Sequence, residues 1–173
     1  MSARVNRIVL NGKTVLMKIG VFGGTFDPVH IGHTILALEC WHRLGLDKVI
    51  FVPASVSPFK NSQMTASPAD RLNMLRLAVG HDKRFGISTI ELDRGGVSYT
   101  VDTLREVALE YGPGTRLFFL SGADSAGSLD KWKDFDDILK LSTFVAVARP
   151  GISLSGLKKN GIVLIETPLI DEI

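Results

Sequence analysis

The segment 23-GGTFDPVHIGH-33 places two glycines, an Asp-Pro pair and two histidines within eleven residues. Glycines after a buried strand let the main chain approach a ligand closely and expose amide donors. Asp27 followed by Pro28 reads as a helix start, with Asp27 as cap and Pro28 in the first helical position, beside the glycine turn. His30 and His33 are three residues apart, so on one helix their imidazoles share a face. Such rings can donate to phosphate oxygens as these gain charge, and one donor aimed at a developing oxyanion is worth about 3 kcal/mol of barrier. Polyphosphate is the ligand this arrangement suits. Zinc ligation by the pair lacks a third His or Cys cluster nearby. The chain has neither G-x-x-x-x-G-K-[ST] nor G-x-G-x-x-G after its first strand, so phosphate chemistry must rest on the two histidines.

The elements that position these residues follow from the apolar pattern. From Lys18, strand-like runs 18-KIGVF-22, 48-KVIFV-52, 85-FGISTIEL-92, 115-TRLFFL-120, 144-FVAVA-148 and 162-IVLIE-166 alternate with helical patterns over 31–44, 67–79, 100–111, 134–141 and 153–160. That order predicts an α/β fold, a mostly parallel sheet with helices on both faces. Ser67, Pro68 and Asp70 supply a cap, a first-turn proline and a first-turn acid, while Gly45, Gly80, Gly112 and Gly161 fall where helices should stop. Ligands of such sheets bind beyond the carboxyl ends of the strands. The candidate rim is therefore 23-GGTFDP, 53-PASVSPFK, 93-DRGGVSYT, 121-SGADS and 149-RPG.

A chain of 173 residues suits one domain. Hydrophobic residues at 45% and charged residues at 22% indicate a packed globular protein and exclude a disordered or fibrous one. The net charge of +2 is spread without basic runs, which argues against a nucleic-acid partner and permits small anions. Cys40, the single cysteine, has no intramolecular disulfide partner and reads as a buried structural thiol in a reducing compartment. No apolar run approaches the ~20 residues of a membrane span, and the N-terminus lacks a signal-peptide core, so the expectation is a cytoplasmic protein without a membrane partner. Self-association is left open. Residues 1–17 read as an N-terminal extension ahead of a domain over 18–173: 8-IVLNGKTVL-16 can form a hairpin around Asn-Gly, or Met17 is an internal start and the rest is non-native.

The segment GGTFDPVHIGH resembles the H-x-G-H signature of the nucleotidylyltransferase superfamily, and the chain from Lys18 resembles the bacterial nicotinate-nucleotide adenylyltransferases of NAD biosynthesis. The supporting elements occur in order: 57-SPFK-60 resembles a Pro-Pro-His-Lys loop, 98-SYT-100 precedes a helix, 122-GADS-125 follows a central strand, and 131-KWKDF-135 and 149-RPG-151 come after it. The resemblance implies a Rossmann-like doubly wound sheet and transfer of AMP from ATP to nicotinate mononucleotide, giving deamido-NAD and pyrophosphate, with Mg2+ on the triphosphate. It implies that His30 and His33 are catalytic, that Gly23, Gly24, Thr25 and Phe26 line the ATP site, and that Gly122 and Asp124 receive the ribose. On the acceptor side it implies that Trp132 stacks on the nicotinate ring, that Thr100 with amides near Tyr99 and Lys133 holds its carboxylate, and that Lys60 and Arg149 lie near the phosphates. It implies no resident metal ligand. Without it, Trp132 reads as an ordinary core or surface aromatic, Asp124 as a helix cap, and Lys60 and Arg149 as solvated charges.

Two departures stand out. Ser57 and Phe59 replace the family's proline and histidine. The sequence ends at 167-TPLIDEI-173, where family members continue into an Ile-Ser-x-Thr-x-x-Arg motif, and the expectation is that the native chain runs further. The rival readings are another adenylyltransferase of this fold, acting on nicotinamide mononucleotide or phosphopantetheine, and a non-catalytic nucleotide-binding module. His30 stands where phosphopantetheine enzymes usually carry Thr, which favours the pyridine nucleotides.

Overall fold

Strands rich in Val, Ile and Phe that are buried on both faces belong in a parallel sheet, and one lies at the centre of the computed structural model, which describes residues 8–10, 13–59, 65–123, 129–148 and 161–167. Ahead of it, β1 (Ile8–Leu10) and β2 (Lys13–Val15) pair antiparallel with Ile8 opposite Val15, as a hairpin requires; Asn11 and Gly12 lie outside the described residues. The sheet comprises β3 (Lys18–Gly24), β4 (Lys48–Pro53), β5 (Phe85–Ile87), β6 (Arg116–Gly122), β7 (Ser142–Ala148) and β8 (Ile162–Glu166). Its order is β5-β4-β3-β6-β7-β8, with every pair parallel. The helices are α1 (Ile31–Leu44), α2 (Pro68–Val79), α3 (Ile90–Arg94), α4 (Thr100–Tyr111) and α5 (Phe135–Leu141), with a 3-10 turn over Leu129–Lys131. This is the expected doubly wound α/β architecture.

The winding places the site. The chain runs outward from β3 through β4 to β5, then returns to lay β6 on the other side of β3 and continues to β7 and β8. Strand order thus reverses between β3 and β6, and the crevice beyond their carboxyl ends is where such sheets bind ligands. Gly23 and Gly24 close β3 there, and Gly122 closes β6.

Alternation along the strands splits the core into two layers. Ile19, Val21, Phe119 and Phe144 face α4 and α5 through Val101, Leu104, Val107 and Ile138. Phe22, Phe51, Leu120 and Val145 face α1 and α2 through Ala37, Cys40, Leu75 and Val79. Each fully buried Val, Leu, Ile or Phe contributes about 1.5 to 3 kcal/mol. Gly20 lies within β3 because a Cβ there would come 2.8 Å from Leu46 Cδ1.

The apolar run 85–92 is not one strand. β5 ends at Ile87, and the chain turns into α3 once Asp93 N–H bonds the Thr89 carbonyl at 2.8 Å and the Thr89 hydroxyl bonds the Asp93 carboxylate at 2.7 Å. The local helical bonds win because Glu91 then reaches α4, accepting from the Thr103 hydroxyl at 2.5 Å. The expected helix over 153–160 lies outside the described residues.

Candidate functional site

The two histidines converge as their spacing requires: the ring centroids of His30 and His33 are 3.8 Å apart, inclined at 38°. Their scaffold differs from the sequence reading. α1 begins at Ile31 with His30 as the residue before its first turn; neither Asp27 nor Pro28 starts it. His30 and His33 close that turn on each other: the His33 N–H donates to the His30 carbonyl at 2.9 Å, and the His30 N–H donates to His33 Nδ1 at 3.2 Å. With Nδ1 accepting, a neutral His33 carries its proton on Nε2, as a donor. The His33 ring lies 5.1 Å from Phe26 and 5.9 Å from Phe22, an aromatic wall that fixes its plane.

Asp27 is instead an anchor. Its carboxylate accepts the Thr65 N–H at 2.7 Å, the Thr65 hydroxyl at 3.1 Å and the Ala66 N–H at 3.1 Å, tying the glycine turn to the segment that enters α2. Desolvation pushes its pKa up, but these hydrogen bonds and the Arg71 charge outweigh it and hold the carboxyl below its usual range. Asp27-Pro28 is a cis peptide, and Phe26 has φ of 49°. The Phe26 side chain is buried at 1% exposure, so it can offer a ligand only its main chain. Gly24 permits this fold, since a Cβ there would lie 3.0 Å from the Phe26 ring.

Arg71 is the residue that sequence reasoning missed. It is fully buried, and its Nη1 donates to the Thr25 carbonyl at 2.7 Å, gripping the glycine turn from beneath. Its Nε and Nη2 have no acceptor among the described residues. Burial pulls its pKa down, and the Asp27 charge opposes this. A signal existed: Arg71, Leu75 and Val79 recur at helical spacing on the buried stripe of α2, where an arginine is out of place unless it holds something.

Beyond β4, the loop after that strand is joined to the segment before α4. Ser55 N–H donates to Ser98 Oγ at 2.9 Å, Ser98 N–H donates to the Val56 carbonyl at 2.8 Å, and Ala54 N–H donates to the Gly24 carbonyl at 2.8 Å. Burial raises the Glu91 pKa, while hydrogen bonds from Thr103 and Ser98 draw it partly back, so this carboxyl supports the same segment from within. α4 starts at Thr100. Asp102 and Thr103 bond to the Tyr99 carbonyl, so the Thr100 and Val101 amides have no upstream acceptor in the helix, a natural anion seat. Lys133 Nζ lies 4.6 Å from the Tyr99 ring centroid and 3.0 Å from an Asp102 carboxylate oxygen. Trp132 is 8% exposed, with Phe119 and Phe144 edge-on at 5.6 Å and 5.5 Å and Phe59 inclined at 34° at 5.2 Å.

The structure thus brings His30, His33, Gly23, Gly24, Thr25 and Phe26 together at the end of β3, and Tyr99, Thr100, Trp132 and Lys133 around the start of α4. Gly122 ends β6, the neighbour of β3 in the sheet; among the described residues a Cβ there would meet nothing within 4 Å, so packing does not dictate the glycine. Lys60, Asp124 and Arg149 lie outside the described residues. Cys40 is fully buried, and burial raises its thiol pKa to about 12, as suits a structural rather than a reactive cysteine. Among the described residues no His, Cys, Asp and Glu side chains group as metal ligands, and no helix is long and apolar enough to cross a membrane.

Known proteins resemble this chain over most of its length. The cytidylyltransferase-like family model matches residues 21–171. A protein of Halalkalibacterium halodurans named "probable nicotinate-nucleotide adenylyltransferase" is 43% identical over 157 residues, which are 90% of this chain and 75% of that one. One of the same name from Bacillus mycoides is 45% identical over 139 residues, 80% of this chain and 73% of that one. In fold, the chain resembles the Plasmodium falciparum nicotinic acid mononucleotide adenylyltransferase complexed with NaAD, with a TM-score of 0.73 at 19% identity, covering 89% of this chain and 77% of that one.

Proposed function

The chain belongs to the cytidylyltransferase-like family, among its nicotinate-nucleotide adenylyltransferases, and from that premise we propose that it transfers AMP from ATP to the phosphate of nicotinate mononucleotide, giving deamido-NAD and pyrophosphate in NAD biosynthesis. The observation that carries the reading is the pair of imidazoles, centroids 3.8 Å apart, at the strand-order reversal beside the glycine turn. An acceptor phosphate oxygen attacks the α-phosphorus of ATP, the bond from that phosphorus to the α,β-bridging oxygen breaks, and pyrophosphate leaves with the electron pair. The acceptor phosphate is already a nucleophile, so neither a covalent enzyme intermediate nor a strong base is needed; catalysis is positioning and charge stabilisation. His33 donates through Nε2 and His30 beside it, each to phosphate oxygens that gain charge. The main chain of Gly23, Gly24, Thr25 and Phe26 seats the nucleotide, and Gly122 lets the ribose approach. Magnesium enters with the triphosphate as part of the substrate.

The acceptor's ring lies against Trp132, a cation–π contact for a pyridinium. Its carboxylate sits at the start of α4, by Tyr99, Thr100 and Lys133. Asp124 for the ribose diol, and Lys60 and Arg149 for phosphates, complete the proposed set on the strength of the family resemblance. The reading is tested by incubating the chain with ATP, magnesium and one acceptor at a time, measuring pyrophosphate. Release with nicotinate mononucleotide is expected; release only with nicotinamide mononucleotide or phosphopantetheine would refute the acceptor, and nucleotide binding without turnover of any acceptor would refute the activity of this chain.

A further inference from the structure

Phe59 is one of two positions, with Ser57, at which this chain leaves its family's loop pattern, and its contacts give the aromatic residue a use. Trp132 is walled by Phe119 and Phe144, both edge-on, at interplanar angles of 77° and 78°. Only Phe59 lies nearer to parallel with the indole, at 34°, with centroids 5.2 Å apart. Phe59 is itself 45% exposed, so the contact is not part of a sealed core. It sits in the turn after Pro58, with its N–H donating to Ser57 Oγ at 3.3 Å, and the strand side of that loop is tied to Ser98. The loop that carries Phe59 and the segment that starts α4 are thus one connected wall, facing an indole from the 129–132 turn. The Trp132 N–H is buried without an acceptor among the described residues, a second sign that this side chain awaits a polar partner.

We propose that Phe59 and Trp132 form the two faces of an aromatic slot that admits the flat, electron-poor ring of the acceptor, with Phe59 a specificity-determining residue for planar acceptors. The inference rests on the reading above that the acceptor ring lies at Trp132. A ring between two aromatic faces needs two contacts of about 3.5 Å, or about 7 Å in all. The 5.2 Å spacing is therefore that of a slot closed on itself. Phe59 opens it by a shift of about 2 Å, small for an exposed side chain in a turn. Binding replaces a phenyl–indole contact with two contacts to a cationic ring, and each is stronger for the positive charge. An aliphatic acceptor gains only ordinary apolar contact there and none of the added attraction of a cationic ring.

The test compares F59A, F59Y and F59H with the unaltered chain, measuring KM for nicotinate mononucleotide and for ATP separately. The same acceptor is titrated against tryptophan fluorescence in a W41F background, where Trp132 is the only indole because the chain has two tryptophans. F59A is expected to raise the acceptor KM roughly three- to thirtyfold, with ATP KM and kcat within about twofold, while F59Y stays near the unaltered value and F59H falls between. Acceptor quenching should shift to higher concentration in parallel. An unchanged or lower acceptor KM in F59A, with quenching of Trp132 intact, would overturn the slot while leaving the acceptor's place at Trp132 standing. Trp132 emission indifferent to nicotinate mononucleotide in the W41F chain would overturn the underlying reading, and the slot with it.

Discussion

His33 is constrained from two directions: the His30 amide fixes its Nδ1, and Phe22 and Phe26 fix its plane. A side chain with so little freedom gives up little entropy when it meets a phosphate oxygen, which is what a preorganised donor requires. His33→Ala is expected to lower turnover by about 10² or more without loss of the fold, checked by kcat beside a thermal melt; unchanged kcat would remove His33 from the chemistry. Arg71 acts one step further back, through the Thr25 carbonyl, as a positioning residue. Replacing a buried ion by an apolar group of similar volume is often tolerated, so Arg71→Met should remain folded yet raise the ATP KM about tenfold, with the acceptor KM unmoved. Equal rises in both would assign Arg71 to general stability. The histidine types and spacing gave the shared face and the donor role, but only the folded chain shows which nitrogen of His33 is committed. For Arg71 the buried stripe with Leu75 and Val79 was the one signal, and it becomes plain only once that face is known to be buried.

At the scale of elements, the glycine turn is held by contacts distant in sequence. Asp27 binds Thr65 and Ala66, so the turn and the entrance to α2 are one unit. The carboxyl's pKa is lowered in the folded chain, so the stability it adds is present above the unfolded value, about 3.9, and is lost as pH falls through the folded value. Asp27→Asn should therefore flatten the loss of thermal stability between about pH 5 and pH 2 and raise the ATP KM at neutral pH. An identical acid profile in the variant would contradict the anchor. The same contact explains why the helix start was misplaced by three residues in the sequence reading. Asp-Pro is a good local cap signal, but the carboxylate finds better donors at Thr65 and Ala66, and His30 takes the cap position. The run 85–92 misled for a related reason, since α3 is stabilised by Glu91 reaching Thr103 on α4, a partner that local propensity cannot report. By contrast, Ser67 caps α2 as its sequence promised, accepting the Asp70 N–H at 3.1 Å, because that bond is local.

For the whole molecule, the alternation of strand and helix patterns was enough to foresee a doubly wound sheet, because each strand's apolar composition reports burial on both faces. The strand order β5-β4-β3-β6-β7-β8 was not written in any one segment, yet it decides everything about the site: it places the ends of β3 and β6 side by side at the reversal. The described rim residues after β3, β4 and β6 were legible from the strand pattern, whereas the contact between Phe59 and Trp132, 73 positions apart, was not. The proposed reaction uses this topology by seating the nucleotide at the end of β3, where an acceptor beside α4 attacks its α-phosphorus. The most direct test uses ATP labelled at the α-phosphate, with magnesium and nicotinate mononucleotide, and follows where the label goes. The expected result is label in a dinucleotide of the mass of deamido-NAD, with unlabelled pyrophosphate formed in equal amount and both slowed by about 10² or more by His33→Ala. Label remaining in ATP, or appearing in a dinucleotide at the same rate when His33 is replaced, would contradict a reaction run by the imidazole pair.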